Sequence, residues 1–295
     1  MEFRSFSRLA MRNFKSTPPN PFARSAVDPA RSVASFRAPF DPVAPLPQEL
    51  DVREGPGKIY LSPHHDDACF SLGGLAHRRR GGWLVNIFTQ SDHVANVSGA
   101  ERTDIGTVTK IRSEEDMLFA TECEMNVVDL GLSDSSLLGG NIWDPSRVRD
   151  NCNRVRRPLL TCLQTINTKA KPPSKALLFC PAGIGGHVDH VATMLTIARA
   201  LPELLRRYRV LFYEDLHYAS DWRDRQVGLL RLCAAVRDRR GTRYVFNLGS
   251  DADAKLSLIR LYRSQFSNLP DDCRRYSPAV EGASDLFHEA VWEFP

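Results

Sequence analysis

Short apolar runs alternate with longer amphipathic stretches from Lys58 onward, and this alternation is typical of a βαβ arrangement. The apolar runs predict strands at 58–62, 83–88, 127–130, 176–180 and 210–213. Between them, apolar residues recur with helical spacing at 73–80, 109–122, 145–168 and 191–205. Because parallel strands need crossovers and the crossover helices must cover the sheet, we predict a Rossmann-like α/β fold, in which a mostly parallel sheet carries helices on both faces.

The first 55 residues lack this pattern and are rich in Arg, Pro, Ser and Ala. Prolines recur in this stretch and interrupt every candidate helix after the first dozen residues. We therefore predict an extended or disordered arm over residues 1–55 and one domain over residues 56–295. Three alternatives stay open for the arm: a transit peptide, a start codon assigned upstream of the true N-terminus, or a segment that packs over a partner subunit in a homo-oligomer.

Composition narrows the class of protein. Its 295 residues are 42% hydrophobic and 25% charged, which is ordinary for a soluble globular protein and excludes collagen-like, coiled-coil and wholly disordered chains. The net charge of +4 is spread along the chain, so no nucleic-acid partner is predicted. No run of about 20 apolar residues is present, so no membrane partner is predicted either. The odd number of cysteines, without a CxxC pair, predicts reduced thiols and a cytoplasmic location.

Histidine and aspartate cluster in two loops that directly follow predicted strands. Residues 62–67 read SPHHDD after the first strand, and residues 181–190 read PAGIGGHVDH after the fourth. In open α/β sheets, ligands bind at the carboxyl ends of the strands. Either loop alone is more typical of surface residues or of a helix cap. Together, after strands of one parallel sheet, they predict a shared site.

This clustering is typical of a catalytic metal site. Zinc ions that perform chemistry take three His or carboxylate ligands and leave a fourth position for water. His64, Asp67 and His190 satisfy that count, and a Zn²⁺ ion held in this way lowers the pKa of water. Asp66, beside a ligand, is the predicted general base. Iron or another divalent ion could replace zinc.

The second loop offers further catalytic groups. His187 is placed to donate to the developing oxyanion or to the leaving amine, and Asp189 is placed to hold an imidazole in one tautomer. His65 receives no role, because its neighbours already satisfy the ligand count.

At these residues the chain resembles the PIG-L/LmbE family of zinc N-deacetylases. The family's His-Pro-Asp-Asp and His-x-Asp-His motifs stand here at residues 64–67 and 187–190, and the resemblance spans about residues 58–266. It implies an LmbE-like deacetylase fold, the same three metal ligands, Asp66 as the base and His187 as the electrophilic or acid partner. Some members place a Tyr just before the second motif to polarise the scissile carbonyl. Here residues 184–186 read IGG, so His187 or a residue from another loop must act instead.

Four further polar residues are predicted to contact the substrate: Arg112, Asp92, Glu214 and Asp215. Arg112 could instead pair with a carboxylate along its own helix, and the two acids at 214–215 could cap a helix or form ion pairs. The predicted reaction is removal of an N-acyl group, such as N-acetyl, from an amino sugar such as N-acetylglucosamine. Two alternatives stay open: the same hydrolysis of an amide or ester in a non-sugar metabolite, and a non-catalytic carbohydrate-binding protein.

Overall fold

The computed structural model describes residues 44–45, 47, 57–95, 104–170, 175–237, 239–279 and 287–295, which belong to the unit Phe40–Pro295. Most of the predicted arm therefore lies outside the described residues. Two of its residues, Ala44–Pro45, form a short strand. The seven cysteines are unpaired thiols. Among the described residues, no helix is long and apolar enough to cross a membrane.

Strands and helices alternate along most of the described chain. The strands are β1 (Ala44–Pro45), β2 (Lys58–Ser62), β3 (Trp83–Gln90), β4 (Asn126–Ser133), β5 (Ala176–Pro181), β6 (Tyr208–Tyr213), β7 (Thr242–Asn247) and β8 (His288–Glu293). The α-helices are α1 (Asp67–Arg78), α2 (Ile105–Glu122), α3 (Val148–Ala170), α4 (Val188–Leu204), α5 (Trp222–Val236) and α6 (Asp251–Ile259).

The strands form one sheet in the order β1-β7-β8-β6-β5-β2-β3-β4. Only β8 runs antiparallel to its neighbours, β6 and β7, among the strands that the structure describes. The predicted α/β fold with a mostly parallel sheet is therefore confirmed. Helices surround this sheet: α3 packs on α4, and α1 packs on α6.

The centre of the sheet explains why the site forms where it does. Every residue of β2 and of β5 is buried, which is why β5 and the middle of β2 read as apolar runs. The two strands are parallel neighbours, and Tyr60 of β2 stacks on Phe179 of β5 with ring centroids 4.8 Å apart. The loops after β2 and β5 carry the two His/Asp motifs, so they leave the same edge of the sheet side by side.

Both helices that follow these loops begin earlier than the sequence predicts. Helix α1 begins at Asp67 rather than at residue 73, and α4 begins at Val188 rather than at residue 191. Each motif therefore ends in the first turn of a helix, whose N-terminus favours negative charge. Similarly, β4 continues to Ser133, which places Asp134 directly after a strand.

A buried ion pair ties the C-terminal strand to the helix that follows the first motif. Lys255 of α6 lies 2.8 Å from a carboxylate oxygen of Glu289 in β8. That carboxylate also accepts hydrogen bonds from the backbone N–H groups of Gly74 and Leu75 in α1, at 2.9 and 2.8 Å. Helix α1 is kinked at Leu72, just before these residues. The pair thus fixes the course of α1 and supports the loop at its N-terminus.

A candidate metal and catalytic site at the strand ends

The three predicted metal ligands meet at the carboxyl edge of the sheet. The Oδ2 atom of Asp67 lies 3.2 Å from Nδ1 of His64 and 3.1 Å from Nε2 of His190. These three atoms lie within 4.8 Å of one another, and all three side chains are buried. In a tetrahedral site with ligands at about 2.0–2.1 Å from the ion, neighbouring ligand atoms are about 3.3 Å apart. The spacing of this donor set therefore suits one small divalent cation.

The charges around the donor set also suit a cation. Burial alone would lower the pKa of His64, but Asp134, Asp189 and Asp67 together raise it well above its ordinary value. Burial likewise opposes protonation of His190, yet Asp67 and Asp215 raise its pKa to about 10. Both imidazoles thus lie in a pocket that stabilises positive charge. The donor set therefore fits a divalent metal in chemistry as well as in spacing.

Each imidazole is oriented by a second carboxylate on its far side. Nε2 of His64 donates to Asp189 at 3.2 Å, and Nδ1 of His190 donates to Asp215 at 2.8 Å. In both rings this hydrogen bond leaves the other nitrogen, which faces Asp67, free to offer its lone pair. Asp189 thus has the contact that the sequence analysis predicts for it. Asp215 makes the equivalent contact for the second ring, which the sequence analysis does not predict.

Asp189 is itself held firmly. The backbone N–H of Ser135 donates to its Oδ2 at 3.0 Å, and the side chain of Asn151 donates to its Oδ1 at 2.8 Å. Neither Ser135 nor Asn151 is found by the sequence analysis. Ser135 lies in the loop after β4, so the rule that polar residues at strand ends build sites could have identified it. Asn151 lies inside α3 and gives no such signal.

Asp66 occupies the position before the first residue of α1, yet its side chain makes no capping hydrogen bond. Instead, Oδ1 lies 3.3 Å from a guanidinium nitrogen of Arg112, which reaches across from α2. A second guanidinium nitrogen of Arg112 donates to Ser91 at 3.1 Å. The side chain of Asp66 therefore does not cap the helix, which is the alternative role for this acidic pair. Its carboxylate is available beside the donor set.

Arg112 therefore contacts an acid of the first motif rather than one on its own helix. The two helical acids that could have paired with it have other partners: Glu115 accepts from Ser264 at 2.7 Å, and Asp116 accepts from Tyr262 at 2.6 Å. Arg112 thus orients Asp66, and its predicted contact with substrate stays a prediction.

His187 lies beside both ligand imidazoles, with its ring centroid 4.9 Å from that of His64 and 5.4 Å from that of His190. Its Nδ1 accepts a hydrogen bond from the backbone N–H of Asp189 at 3.3 Å. The ring proton is therefore on Nε2. Burial, together with the positive charges of His64 and His190, lowers the pKa of His187 to about 3. His187 is thus a neutral imidazole with an N–H to donate.

Two aromatic residues that the sequence analysis does not assign to the site border these histidines. The ring of Trp143 meets His187 edge-on at 5.4 Å, and the ring of Tyr218 meets His190 edge-on at 5.8 Å. The two aromatic rings lie 5.8 Å apart. We refer to Trp143 and Tyr218 as the aromatic wall. Trp143 is 38% exposed, which places it at the mouth of the site. Both residues lie in loops after strands, β4 and β6.

Asp134 is a further acid that the sequence analysis misses. Its Oδ2 lies 3.9 Å from Nε2 of His64 and accepts a hydrogen bond from Ser91 at 3.1 Å. Asp134, His64, His187 and Asp189 form a second group whose possible ligand atoms lie within 4.8 Å of one another. His64 is thus shared by two groups, through its two ring nitrogens.

Glu214 and Asp215, both predicted to contact substrate, have partners within the protein. The carboxylate of Glu214 accepts hydrogen bonds from Arg225, Arg243 and the indole N–H of Trp292, at distances from 2.7 Å upward. These partners surround it, and it is 1% exposed. Glu214 thus forms the ion pair that the sequence analysis leaves open as its alternative. Asp215 accepts from His190 and from the backbone of residue 184, so it supports the site from behind.

The two other residues considered in the sequence analysis, Asp92 and His65, lie at the margins of the site. Asp92 is exposed and accepts a hydrogen bond from the hydroxyl of Ser136 at 3.0 Å, next to the residue that holds Asp189. His65 is buried, and its Nε2 lies 3.7 Å from Asp129 without a hydrogen bond. Asp92 is therefore at the rim, and His65 turns away from the donor set toward β4.

Comparison with known proteins supports this assignment of the fold. No known family profile matches the chain. The chain is 27% identical over 193 residues to 2'-N-acetylparomamine deacetylase from Streptomyces fradiae, in a match that spans 63% of this chain. The chain spans only 65% of the length of that relative.

Several solved structures share the fold. The A40926 pseudoaglycone deacetylase Dbv21 superposes with a TM-score of 0.55 at 18% identity, over 81% of this chain and 97% of its own. The zinc-inhibited form of the teicoplanin deacetylase Orf2 gives 0.53 at 17% identity, over 80% and 97%. The 4-carboxy-2-hydroxymuconate hydratase GalB from Pseudomonas putida gives 0.51 at 14% identity, over 81% and 97%. The chain therefore has the fold of the LmbE-like deacetylases, and the resemblance to the PIG-L/LmbE family that its two motifs predict is confirmed.

Proposed function

We propose that this chain is a zinc-dependent amidohydrolase that removes an acetyl group from an N-acetylated amino sugar. The observation that carries the proposal is the convergence of His64, Asp67 and His190 beside the carboxylate of Asp66, which caps no helix. A site built only to bind a carbohydrate would gain nothing from this second acid next to the metal ligands. The combination is the one that metal-assisted hydrolysis of an amide requires.

The roles of the residues follow from their contacts. A divalent cation held by the donor set would polarise the amide carbonyl and acidify water. Asp66 takes a proton from the attacking water, and the contact with Arg112 orients its carboxylate. His187 donates its Nε2 proton toward the carbonyl oxygen or the departing nitrogen. Water adds to the carbonyl carbon, the C–N bond breaks, and the proton held by Asp66 passes to the nitrogen, which leaves acetate and a free amine.

The aromatic wall and the known relatives favour an amino sugar as the substrate. An exposed indole beside the catalytic groups offers the flat apolar face on which a sugar ring can pack. The relative from Streptomyces fradiae is named for a deacetylation of N-acetylparomamine, and one structural neighbour is named for a pseudoaglycone. We therefore propose a small N-acetylated sugar or sugar-bearing metabolite, with N-acetylglucosamine as the simplest probe.

The proposal is tested with a panel of substrates in which release of acetate and of free amine is measured. The panel contains N-acetylglucosamine, an N-acetylated aminoglycoside, an acyl amide without a sugar and an aryl acetate ester. Because one structural neighbour is described in a zinc-inhibited form, zinc is supplied at one equivalent and in excess, beside Co²⁺ and Mn²⁺. We expect turnover of at least one N-acetyl sugar. Turnover of the non-sugar compounds alone would refute the sugar substrate.

Asp66→Asn links any turnover to this site. Removal of a general base typically costs about 10²- to 10⁴-fold in rate, and the metal ligands are unchanged, so we expect kcat to fall by that factor with metal content retained. The matched control is Asp253→Asn, an exposed carboxylate in α6, which should leave kcat unchanged. Full activity in the Asp66→Asn variant would contradict the assignment.

A further inference from the structure

The scissile carbonyl needs a hydrogen-bond donor as its oxygen gains charge, and the stretch before the second motif, residues 184–186, supplies no side chain that can donate. Tyr218 approaches the same place from another loop. It opens the short 3₁₀ helix Tyr218–Ser220 after β6, and its ring lies edge-on to His190 and to Trp143 at 5.8 Å in each case. The phenol therefore borders the donor set.

The hydroxyl of Tyr218 lacks a partner within the described part of the chain, and it is not among the polar atoms that are sealed from solvent. Three buried tyrosines have such a partner: Tyr208 and Tyr213 donate to backbone carbonyls at 2.7 and 2.8 Å, and Tyr262 donates to a buried carboxylate at 2.6 Å. The hydroxyl of Tyr60 also lacks a partner among the described residues, but it is sealed from solvent, unlike that of Tyr218. Tyrosine hydroxyls inside a fold usually find a partner. Among the described atoms, none is a hydrogen-bond partner of the Tyr218 hydroxyl. This hydroxyl can therefore bind a molecule in the site.

The backbone before the second motif is shaped around this ring. Gly185 has a φ of +83°, and a Cβ atom at that position would lie 2.4 Å from Cγ of Tyr218 and 2.6 Å from Cδ1. No residue with a side chain fits there while Tyr218 keeps its place. The loop that carries His187 thus leaves room for an aromatic ring that comes from the loop after β6.

We propose that Tyr218 is a further catalytic residue, whose hydroxyl donates a hydrogen bond to the oxygen of the scissile amide as the carbonyl carbon becomes tetrahedral. This inference rests on the proposed deacetylase function and names one of its donors. Burial raises the pKa of the Tyr218 phenol above its ordinary value, so the hydroxyl is protonated at neutral pH and can donate. His187 offers a second N–H close by, since both residues pack against Trp143. The two donors would hold the oxygen between them and the metal ligands.

Tyr218→Phe removes the hydroxyl and keeps the ring that packs on Gly185. Loss of one donor to such an oxygen typically lowers kcat by about 10²- to 10³-fold, and we expect a fall of about 10²-fold with KM within about twofold. A purely structural role would not separate these two constants. Tyr208→Phe is the matched control, because its hydroxyl binds Leu163 at the opposite end of β6, and it should leave kcat unchanged.

A binding measurement distinguishes this inference from the proposed function itself. The probe is the methylphosphonamidate analogue of N-acetylglucosamine, whose tetrahedral phosphorus resembles the transition state. Calorimetry should show that Tyr218→Phe weakens its binding by at least tenfold while binding of glucosamine is unchanged. If the variant and the wild-type protein have equal kcat and equal affinity for the analogue, the role of Tyr218 is overturned, but the proposed deacetylase function is not. Wild-type protein that neither binds the analogue nor releases acetate would overturn both.

Discussion

At the scale of single residues, the site shows how neighbours in sequence acquire different roles from their contacts. Asp66 and Asp67 are adjacent, but one meets Arg112 and the other meets two imidazoles. Burial would raise the pKa of Asp67, yet His190 and His64 hold it well below its ordinary value. Sequence spacing alone is enough to propose both residues, because the motif places them after a strand. The roles predicted for them, general base for Asp66 and metal ligand for Asp67, stay predictions with which these contacts are compatible.

The partners of the two acids at 214–215 could not be predicted from the sequence. Both acids follow β6 and face the edge of the sheet that carries the site, so the sequence gives no reason to separate them. Their partners come from distant parts of the chain: Arg243 and Trp292 for Glu214, and His190 for Asp215. The roles of Tyr218 and Trp143 are equally hard to predict from the sequence, because an aromatic residue in a loop can either pack in the core or line a substrate surface.

A prediction at this scale concerns Trp143. Stacking of a sugar ring on an exposed indole should contribute to binding equally in the ground and transition states. Aromatic pairs contribute about 0.5–1.5 kcal/mol beyond burial, so Trp143→Ala should raise KM for an N-acetyl sugar by about 2- to 13-fold with kcat nearly unchanged. Steady-state kinetics measures both constants. Trp83→Phe, at the amino end of β3, is the control that should change neither. An unchanged KM for Trp143→Ala would exclude the stacking role.

At the scale of elements, the apolar pattern predicts the central strands well because β2 and β5 are buried on both sides. It misses β8, since that strand carries His288 and Glu289 on buried positions. Glu289 forms its buried ion pair with Lys255, a residue 34 positions earlier, and no local sequence pattern predicts such a pair. The starts of α1 and α4 are also predicted late. Their first turns hold the polar motifs, which interrupt the apolar spacing on which the helix prediction depends.

The cluster around Glu214 gives a prediction about how β6, β7 and β8 are joined. Glu214→Gln leaves the guanidinium groups of Arg225 and Arg243 buried without a counter-charge. Removal of one partner of a buried pair typically costs about 3–5 kcal/mol, and we expect a loss of that size in the free energy of unfolding. Glu293→Gln, which breaks the more exposed pair with Arg209, should cost less than about 1 kcal/mol.

The loss of unfolding free energy caused by Glu214→Gln should become smaller in acid. Burial would raise the pKa of Glu214, but Arg243 and Arg225 hold it well below its ordinary value. A carboxylate with a depressed folded pKa stabilises fully above its unfolded pKa, about 4.3, and loses that contribution as the pH falls through the folded value. Urea unfolding should therefore show a constant deficit for Glu214→Gln between about pH 5 and pH 8, and a smaller one in stronger acid. A deficit that grows on acidification would contradict the account.

At the scale of the whole molecule, the fold brings together loops that lie more than 100 residues apart in the chain, and this is what makes the two motifs one site. The same fold is shared with a hydratase, so the architecture alone does not determine the reaction. The reaction depends instead on which side chains the strand ends present. The proposed hydrolysis therefore requires that His64, Asp67 and His190 bind one cation together.

Calorimetric titration of chelator-treated protein with Zn²⁺ tests that claim most directly. We predict one tight equivalent for the wild-type chain and for the control His77→Gln, whose histidine lies in the last turn of α1. His190→Gln should lose this binding, because it removes one of the three donors and the ring that Asp215 orients. No saturable binding to the wild-type protein, or equally tight binding to His190→Gln, would contradict the account.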